Sequence, residues 1–215
     1  MLQFTVIAGP NGAGKSTFSG RMSKSDAVIF DPDKEKAILE RQYPDISEEA
    51  IQTALTDRYN RTELRALAAQ KDLTVETNLR NEYLAERAAI FKEGGYQTRL
   101  IFMMLPNIPS SMVRVNLRVK QKGHFVDAES IKYNFDASLK NLYKVAGQFD
   151  EVMLVCAASD YGIKALPEQL LVIRNGSLIS NNEHIPEWAL PVVQDIFELL
   201  TGQSRDPDND RSIKR

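Results

Sequence analysis

Apolar runs alternate with amphipathic stretches along most of the chain. Short runs rich in Val, Ile, Leu and Phe are typical of strands that are buried inside a parallel sheet. Longer stretches, in which apolar residues recur every three or four positions, are typical of helices that cover such a sheet. This alternation predicts an α/β fold with a mainly parallel sheet and right-handed crossover connections.

Five strands are predicted before the pattern changes, and helices separate them. The strands cover 3–8, 27–30, 73–77, 98–105 and 151–157. The helices cover 16–22, 34–40, 48–70, 82–91, 112–121 and 128–145. The last of these helices carries the apolar stripe that we expect to face the core, namely Ile131, Phe135, Leu139 and Leu142.

The C-terminal part of the chain follows a different pattern. Asn175-Gly176 lies between the apolar segments 170–174 and 177–180, and this arrangement predicts an antiparallel hairpin appended to the five-stranded sheet. A final helix is predicted over about 187–200.

The chain length of 215 residues is enough for one domain with its own core. We predict a single domain over 1–201, with its core in 1–157 and the hairpin and helix in 165–201. Residues 202–215 are polar, show no apolar period and are predicted to be disordered.

A phosphate-binding loop follows the first predicted strand and precedes the first predicted helix. Its glycines allow backbone N–H groups to surround a phosphate, and the helix N-terminus adds positive charge. We expect Lys15 to reach the terminal phosphates of ATP or GTP and Ser16 to be a ligand of Mg²⁺. These features predict a P-loop NTPase with a three-layer sandwich fold. The loop residues are Gly9, Pro10, Asn11, Gly12, Ala13, Gly14, Lys15, Ser16 and Thr17.

Polar residues also follow the second and third predicted strands, and ligands of such folds bind at the carboxyl ends of the strands. Asp33 is the candidate general base for an acceptor hydroxyl, although it could instead cap the helix over 34–40, for which Asp31 competes. Glu76 could hold Mg²⁺ through water, bind the acceptor, or be a solvated residue at a strand end. We expect the neighbouring side chains to bind substrate, namely Thr77, Asn78 and, as a phosphate ligand, Arg80.

A basic stretch runs from the helix of 112–121, where Arg114 and Arg118 share one face, into the segment before the helix of 128–145. It contains Arg114, Arg118, Lys120, Lys122, Gly123 and His124. In one interpretation it is a mobile segment, hinged at Gly123, that closes over the phosphates and excludes water. In the other it is an ordinary solvated basic surface. Lys132, further along, could also point into the site.

Composition restricts the partners and the compartment. The net charge of −2 argues against a nucleic-acid partner, because proteins that bind phosphate backbones usually carry a basic excess. The single cysteine, Cys156, lies in an apolar run and is expected to be buried rather than reactive. No export signal and no membrane-spanning run are recognisable, and together with the absence of a disulfide this favours the cytoplasm.

Taken together, these clusters resemble the zeta toxin family of P-loop small-molecule kinases, over residues 1 to about 157. Besides the phosphate loop, the resemblance rests on three segments: 31–33 (Asp-Pro-Asp), 76–79 (Glu-Thr-Asn-Leu) and 118–126, which leads to 138–142. It implies a fold similar to that of nucleoside monophosphate kinases. It also implies ATP- and Mg²⁺-dependent transfer of the γ-phosphate to a small molecule, such as a nucleotide sugar like UDP-N-acetylglucosamine, and a neutralising antitoxin as a partner.

By position, the resemblance matches Lys15 and Ser16 to nucleotide and metal ligands, and Asp33 to the base. Glu76 matches a carboxylate for substrate or metal, Arg118 a catalytic phosphate-binding arginine, and His124 a substrate-side residue. The chain departs from the family where many relatives carry an arginine-rich segment, because here only Lys132 keeps a cation.

A lysine cannot make the bidentate grip of an arginine, so the second phosphate clamp of the family is in question. Two other functions therefore remain open at this point. One is a P-loop ATPase or nucleotide-binding switch that acts on a protein partner. The other is a nucleotide-binding module without catalysis.

Overall fold

The fold was analysed in a computed structural model that describes residues 1–121, 125–157 and 167–203. Its centre is a seven-stranded sheet in the order β2-β3-β1-β4-β5-β6-β7. The first five of these strands along the chain are parallel, and the last two are antiparallel to their neighbours. The strands are β1 (Gln3–Ala8), β2 (Val28–Phe30), β3 (Leu73–Thr77), β4 (Gln97–Met104), β5 (Glu151–Cys156), β6 (Glu168–Arg174) and β7 (Ser177–Asn181).

Helices cover both faces of this sheet, as the alternation of strands and helices predicts. They are α1 (Lys15–Met22), α2 (Pro32–Gln42), α3 (Glu48–Ala68), α4 (Tyr83–Glu93), α5 (Ile108–Lys120), α6 (Ala128–Val145) and α7 (Leu190–Thr201). A short 3₁₀ turn, Ala146–Gln148, follows α6. The prediction of an α/β sandwich is therefore confirmed.

Successive residues of the central strands face opposite layers, which explains why these strands are apolar on both faces. In β4, Leu100 and Phe102 belong to the core layer that contains residues of α4 and α7, whereas Ile101 and Met103 belong to the layer that contains Phe18 of α1. The Cys156 side chain lies in the first of these layers and is buried, as its apolar run predicts.

The C-terminal hairpin differs from the prediction of a five-stranded sheet with a separate appendage. Strand β6 pairs with β5 along its length, from Glu151 opposite Arg174 to Cys156 opposite Glu168, so the sheet has seven strands. The hairpin thereby covers an edge of β5 that would otherwise expose unpaired backbone groups. The turn itself is as predicted, with Asn175 and Gly176 at positive φ.

Helices α5 and α2 begin earlier than predicted, and a cap explains each start. The Asn107 side chain accepts from the Ser110 N–H, so α5 begins four residues early and includes Pro109 in its first turn. The Asp31 side chain accepts from the N–H groups of Asp33 and Lys34, so α2 begins at Pro32. None of the helices among the described residues has the length and the apolar content that a bilayer crossing requires.

Candidate active site

A cleft of about 720 Å³ opens at the carboxyl ends of β1, β2 and β3. Its size lies within the usual range for small-molecule sites. The phosphate loop forms one wall, the start of α2 and the end of β3 form a second, and α5 and α6 form a third. The strand register explains this convergence, because Ile7 pairs with Glu76 and Phe30 pairs with Val75, so the polar residues after all three strands end side by side.

The phosphate loop is pressed against the sheet and against α5. Gly9 has φ +143°, and a Cβ there would overlap the Met103 carbonyl oxygen, so the loop requires glycine at this position. On the other side, Arg114 Nε donates to the Gly12 carbonyl at 2.8 Å, and the Ser111 hydroxyl donates to the Asn11 carbonyl. Helix α5 therefore fixes the shape of the loop.

Lys15 folds back onto its own loop. Its ammonium donates to the carbonyls of Gly9 and Pro10 at 2.8 and 3.0 Å, and to Asn78 Oδ1 at 2.8 Å. Burial lowers the pKa of Lys15 to about 8, although the Asp33 and Glu76 carboxylates oppose this shift. The Lys15 ammonium is thus held between the phosphate loop and the end of β3. A bound triphosphate would replace the oxygen atoms that now accept its hydrogen bonds.

Ser16 and Glu76 meet across the gap between α1 and β3. The Ser16 hydroxyl donates to Glu76 Oε2 at 2.7 Å. Glu76 is only 2% exposed, and burial, with a further contribution from Asp31, raises the pKa of its carboxyl. A solvated residue at a strand end, which was one interpretation of Glu76, does not describe this environment.

The same pair fits a magnesium ion. Mg²⁺ prefers oxygen ligands, keeps several waters, and is usually bound by one or two carboxylates together with substrate phosphates. Glu76 Oε1 is buried and has no hydrogen-bond donor among the described residues, and the Ser16 hydroxyl lies beside the same carboxylate. The two residues would hold the ion next to the phosphate loop, where it would neutralise charge on the phosphates.

The two aspartates after β2 have separate environments. Asp31 is buried and caps α2 through its Oδ1 atom. Asp33 lies in the first turn of α2, is exposed, and lines the cleft. No described residue donates a hydrogen bond to its carboxylate, so the interpretation of Asp33 as the helix cap is wrong and its carboxylate faces the site.

The segment after β3 turns sharply into the cleft. Leu79 has φ +51°, which is uncommon for a leucine, and it is held there by two hydrogen bonds. Its N–H donates to Thr77 Oγ1, and its carbonyl accepts from Asn141 Nδ2, both at 2.9 Å. As a result Thr77, Asn78 and Arg80 all line the cleft.

Most of the residues expected at the site from the sequence lie around this one cleft. They are Asn11, Gly12, Gly14, Lys15, Ser16, Thr17, Asp33, Glu76, Thr77, Asn78, Arg80 and Arg118. Gly9, Pro10 and Ala13, which belong to the same loop, are buried and do not line the cleft. Lys122, Gly123 and His124 lie outside the described residues.

Lys132, which was also expected at the site, does not line the cleft. It is exposed, whereas Ser130 and Asn134, on the same helix, line the cleft. Two residues along an α-helix correspond to a rotation of about 200°, so Lys132 faces away when its neighbours on either side face inward. The expectation that Lys132 supplies a cation to the site has no support in this arrangement.

Three side-chain contacts with the phosphate loop are not predicted by the sequence. Arg114 is expected in a closing segment or on a solvated basic surface, but its Nε is tied to the phosphate loop. Ser111 was not singled out, and neither was Asn134, although Asn134 is fully buried and bonds to Asn11. A usable signal existed, because Asn134, Ser138 and Asn141 recur at i, i+4 and i+7 on one face of α6.

The comparison with protein families agrees with this geometry. The zeta toxin family model matches residues 3–167. The chain belongs to the zeta toxin family. This membership identifies it as an ATP-dependent phosphotransferase of the P-loop kinase class, as the resemblance implied.

Known proteins share the fold at low identity. A structure from the PezAT toxin–antitoxin system of Streptococcus pneumoniae aligns with a TM-score of 0.58 and 17% identity, over 92% of this chain and 78% of that one. The AvrRxo1-ORF1:ORF2 complex with ATP aligns with a TM-score of 0.61 and 18% identity, over 83% of this chain and 61% of that one. An uncharacterised protein of Haemophilus influenzae is 22% identical over 127 residues, which are 59% of this chain and 88% of that protein.

Proposed function

We propose that this zeta toxin family protein transfers the γ-phosphate of Mg·ATP to a hydroxyl of a small molecule, with a nucleotide sugar such as UDP-N-acetylglucosamine as the acceptor. The observation that carries the proposal is the position of Asp33. Its carboxylate is free of the helix cap, lines the cleft, and acts on the pKa of Lys15 more strongly than any other charge there.

The residues around the cleft divide the work of phosphoryl transfer. The loop amides and Lys15 bind the phosphates, Ser16 and Glu76 hold the metal, and Asp33 accepts the proton of the acceptor hydroxyl as the oxygen attacks phosphorus. Arg118 and Arg80 line the cleft and neutralise charge on the outer phosphate, while Thr77 and Asn78 orient the acceptor.

The proposal includes a protein partner. The PezAT neighbour comes from a toxin–antitoxin system, and this supports a neutralising antitoxin for the present chain as well. Growth arrest on expression of the chain, absent for Asp33→Asn, would support a toxic activity.

The deciding experiment is mass spectrometry of the acceptor. The protein is incubated with Mg·ATP and either UDP-N-acetylglucosamine, a panel of nucleotide sugars, or a metabolite extract, and each mixture is searched for a mass gain of one phosphate. We expect Asp33→Asn to lower the transfer rate by about 10²–10⁴-fold with ATP binding retained, because only the base is removed.

Asp57→Asn is the matched control, since Asp57 is an exposed carboxylate on α3 that pairs with Arg61 and does not line the cleft. The proposal would be contradicted if no mixture gave a phosphorylated product and if Asp33→Asn left every measurable activity of the protein unchanged. Acceptor-independent hydrolysis that a protein partner accelerates would instead support the ATPase interpretation.

A further inference from the structure

A buried side-chain amide connects two walls of the cleft. Asn134 is fully buried, although asparagine usually lies at the surface. Its Nδ2 donates to Asn11 Oδ1 in the phosphate loop at 2.6 Å, and its Oδ1 accepts from Arg80 Nε at 2.5 Å. One residue of α6 thus joins the phosphate loop to the segment after β3.

The chemistry of arginine fixes the orientation of both amides. A guanidinium only donates hydrogen bonds, so the Asn134 atom that faces Arg80 must be the carbonyl oxygen. The Asn134 NH₂ group then faces Asn11, which must present its own carbonyl oxygen. The hydrogen bonds of the three side chains therefore run in one direction, from Arg80 through Asn134 to Asn11.

Arg80 has donors left over after this contact. A guanidinium carries five N–H groups, and only the Nε group is used by Asn134. Among the described residues, none accepts from its two terminal nitrogens, and Arg80 lines the cleft. Another cation of the cleft is committed, because the Lys36 ammonium pairs with the Glu48 carboxylate at 2.8 Å.

We propose that Asn134 is a positioning residue: it holds the Arg80 guanidinium against the phosphate loop, so that the terminal nitrogens of Arg80 grip the outer phosphate of a bound triphosphate. The inference rests on the proposed function for the role of Arg80. It assigns the second phosphate-gripping arginine to the segment after β3, and not to the exposed Lys132 of α6.

A double-mutant cycle tests this inference without any acceptor. Dissociation constants for the Mg²⁺ complexes of a non-hydrolysable ATP analogue and of ADP are measured by calorimetry for the wild-type protein, Arg80→Ala, Asn134→Ala and the double variant. We expect each single variant to bind the ATP analogue about tenfold more weakly, because a charge-assisted contact to the outer phosphate is lost. ADP binding should change by less than about threefold.

The double variant decides whether the two residues act together. If Asn134 acts through Arg80, the double variant binds the ATP analogue no more weakly than Arg80→Ala alone. Asn134→Asp retains the acceptor for Arg80 and should recover part of the ATP affinity. Thr98→Val is the control for lost stability, because Thr98 is a fully buried polar residue that bonds to Asp150 at the opposite end of the sheet.

Two outcomes would overturn the inference. Additive losses in the double variant, or equal losses for ADP and the ATP analogue, would make Asn134 a merely structural residue. An Arg80→Ala variant that binds the ATP analogue normally would also overturn it, but the kinase proposal would stand because that proposal depends on Asp33 and product formation.

Discussion

The Ser16 hydroxyl donates a hydrogen bond to Glu76 Oε2 at 2.7 Å, and it joins the start of α1 to the end of β3. The second oxygen of this carboxylate is buried and has no donor among the described residues. A buried, incompletely bonded carboxylate lowers the stability of a fold. We infer that Glu76 is kept for its chemistry with a metal and not for its contribution to stability.

Glu76→Gln should therefore separate stability from activity. Burial raises the pKa of Glu76, so the ionised form of this carboxyl is disfavoured in the folded protein. The contribution of Glu76 to the free energy of unfolding therefore falls as the pH rises above the ordinary pKa of a glutamate. At neutral pH the neutral glutamine should raise the free energy of unfolding by about 1 kcal/mol. Phosphate transfer should fall by about a hundredfold or more, because the metal loses its carboxylate.

Urea titration measures the change in the free energy of unfolding, and the rate of phosphate transfer at increasing Mg²⁺ concentration measures the loss of activity. Ser16→Ala serves as the companion variant, since it removes the hydroxyl partner and leaves the carboxyl group in place, so it should lose activity without any gain in stability. If Glu76→Gln were less stable than the wild-type protein, the carboxylate would be a structural residue.

Lys15 gives a pH dependence of nucleotide binding. Its pKa is lowered to about 8 by burial, and the protonated form is the one that binds phosphate. Below about pH 8 the residue is already charged, so the dissociation constant for Mg·ATP should be flat there. Above that pH, the affinity for Mg·ATP should fall by up to about tenfold per pH unit, because the neutral Lys15 amine must take up a proton before it can bind phosphate.

Titrations by calorimetry between about pH 7 and pH 10 test this dependence. Lys15→Met is the reference: its affinity should be low throughout and should lack the decline above pH 8. A wild-type affinity that stays constant up to pH 10 would mean that the Lys15 ammonium keeps its ordinary pKa.

Gly9 and Gly20 form a matched pair for the phosphate loop. A methyl group at Gly9 would overlap the Met103 carbonyl oxygen, and φ is +143° there, whereas a methyl group at Gly20, inside α1, meets nothing within 4 Å. We expect Gly9→Ala to lower the free energy of unfolding by more than about 1 kcal/mol and to abolish detectable ATP binding. Gly20→Ala should raise the free energy of unfolding by about 0.5–1 kcal/mol and leave ATP binding intact.

Denaturant unfolding and ATP calorimetry on both variants provide the measurement. Normal ATP binding by Gly9→Ala would show that the phosphate loop can shift away from β4. The close approach of Gly9 to the Met103 carbonyl would then not determine the shape of the loop.

The sequence predicted the part of the site that is formed by polar residues at the carboxyl ends of the strands. In a parallel sheet the carboxyl ends lie at one edge, so a glycine-rich loop after β1, an acid after β2 and an acid at the end of β3 must converge. Lys15, Asp33 and Glu76 do line one cleft. The choice between Asp31 and Asp33 as the cap could not be made from residue types, because both are suitable. Pro32 at the first helical position decided it, since it places the cap at Asp31.

The buried polar face of α6 was not predicted from the sequence. Residues Asn134, Ser138 and Asn141 look like a solvated face of α6, because binary patterning assigns small polar residues to the surface. They are buried because α6 lies against the phosphate loop and the segment after β3, where Asn134 bonds to Asn11 and Asn141 bonds to the Leu79 carbonyl. The extra strand pairing of β6 was equally hidden, since a hairpin signal gives no information about the neighbouring strand.

The cations of the cleft provide a last prediction, which contrasts Arg118 with Lys132. Arg118 lines the cleft, whereas Lys132 is exposed on another face of α6. Arg118→Ala should lower the rate of phosphate transfer by about a hundredfold, because a positive charge near the reacting phosphate is lost. Lys132→Ala should change the rate by less than about twofold, as expected for an isolated surface charge. Transfer is followed with labelled ATP under saturating acceptor, and both variants carry the same change in net charge, so a general electrostatic effect would slow them equally. A large loss for Lys132→Ala would mean that α6 rotates on substrate binding to bring this lysine into the cleft.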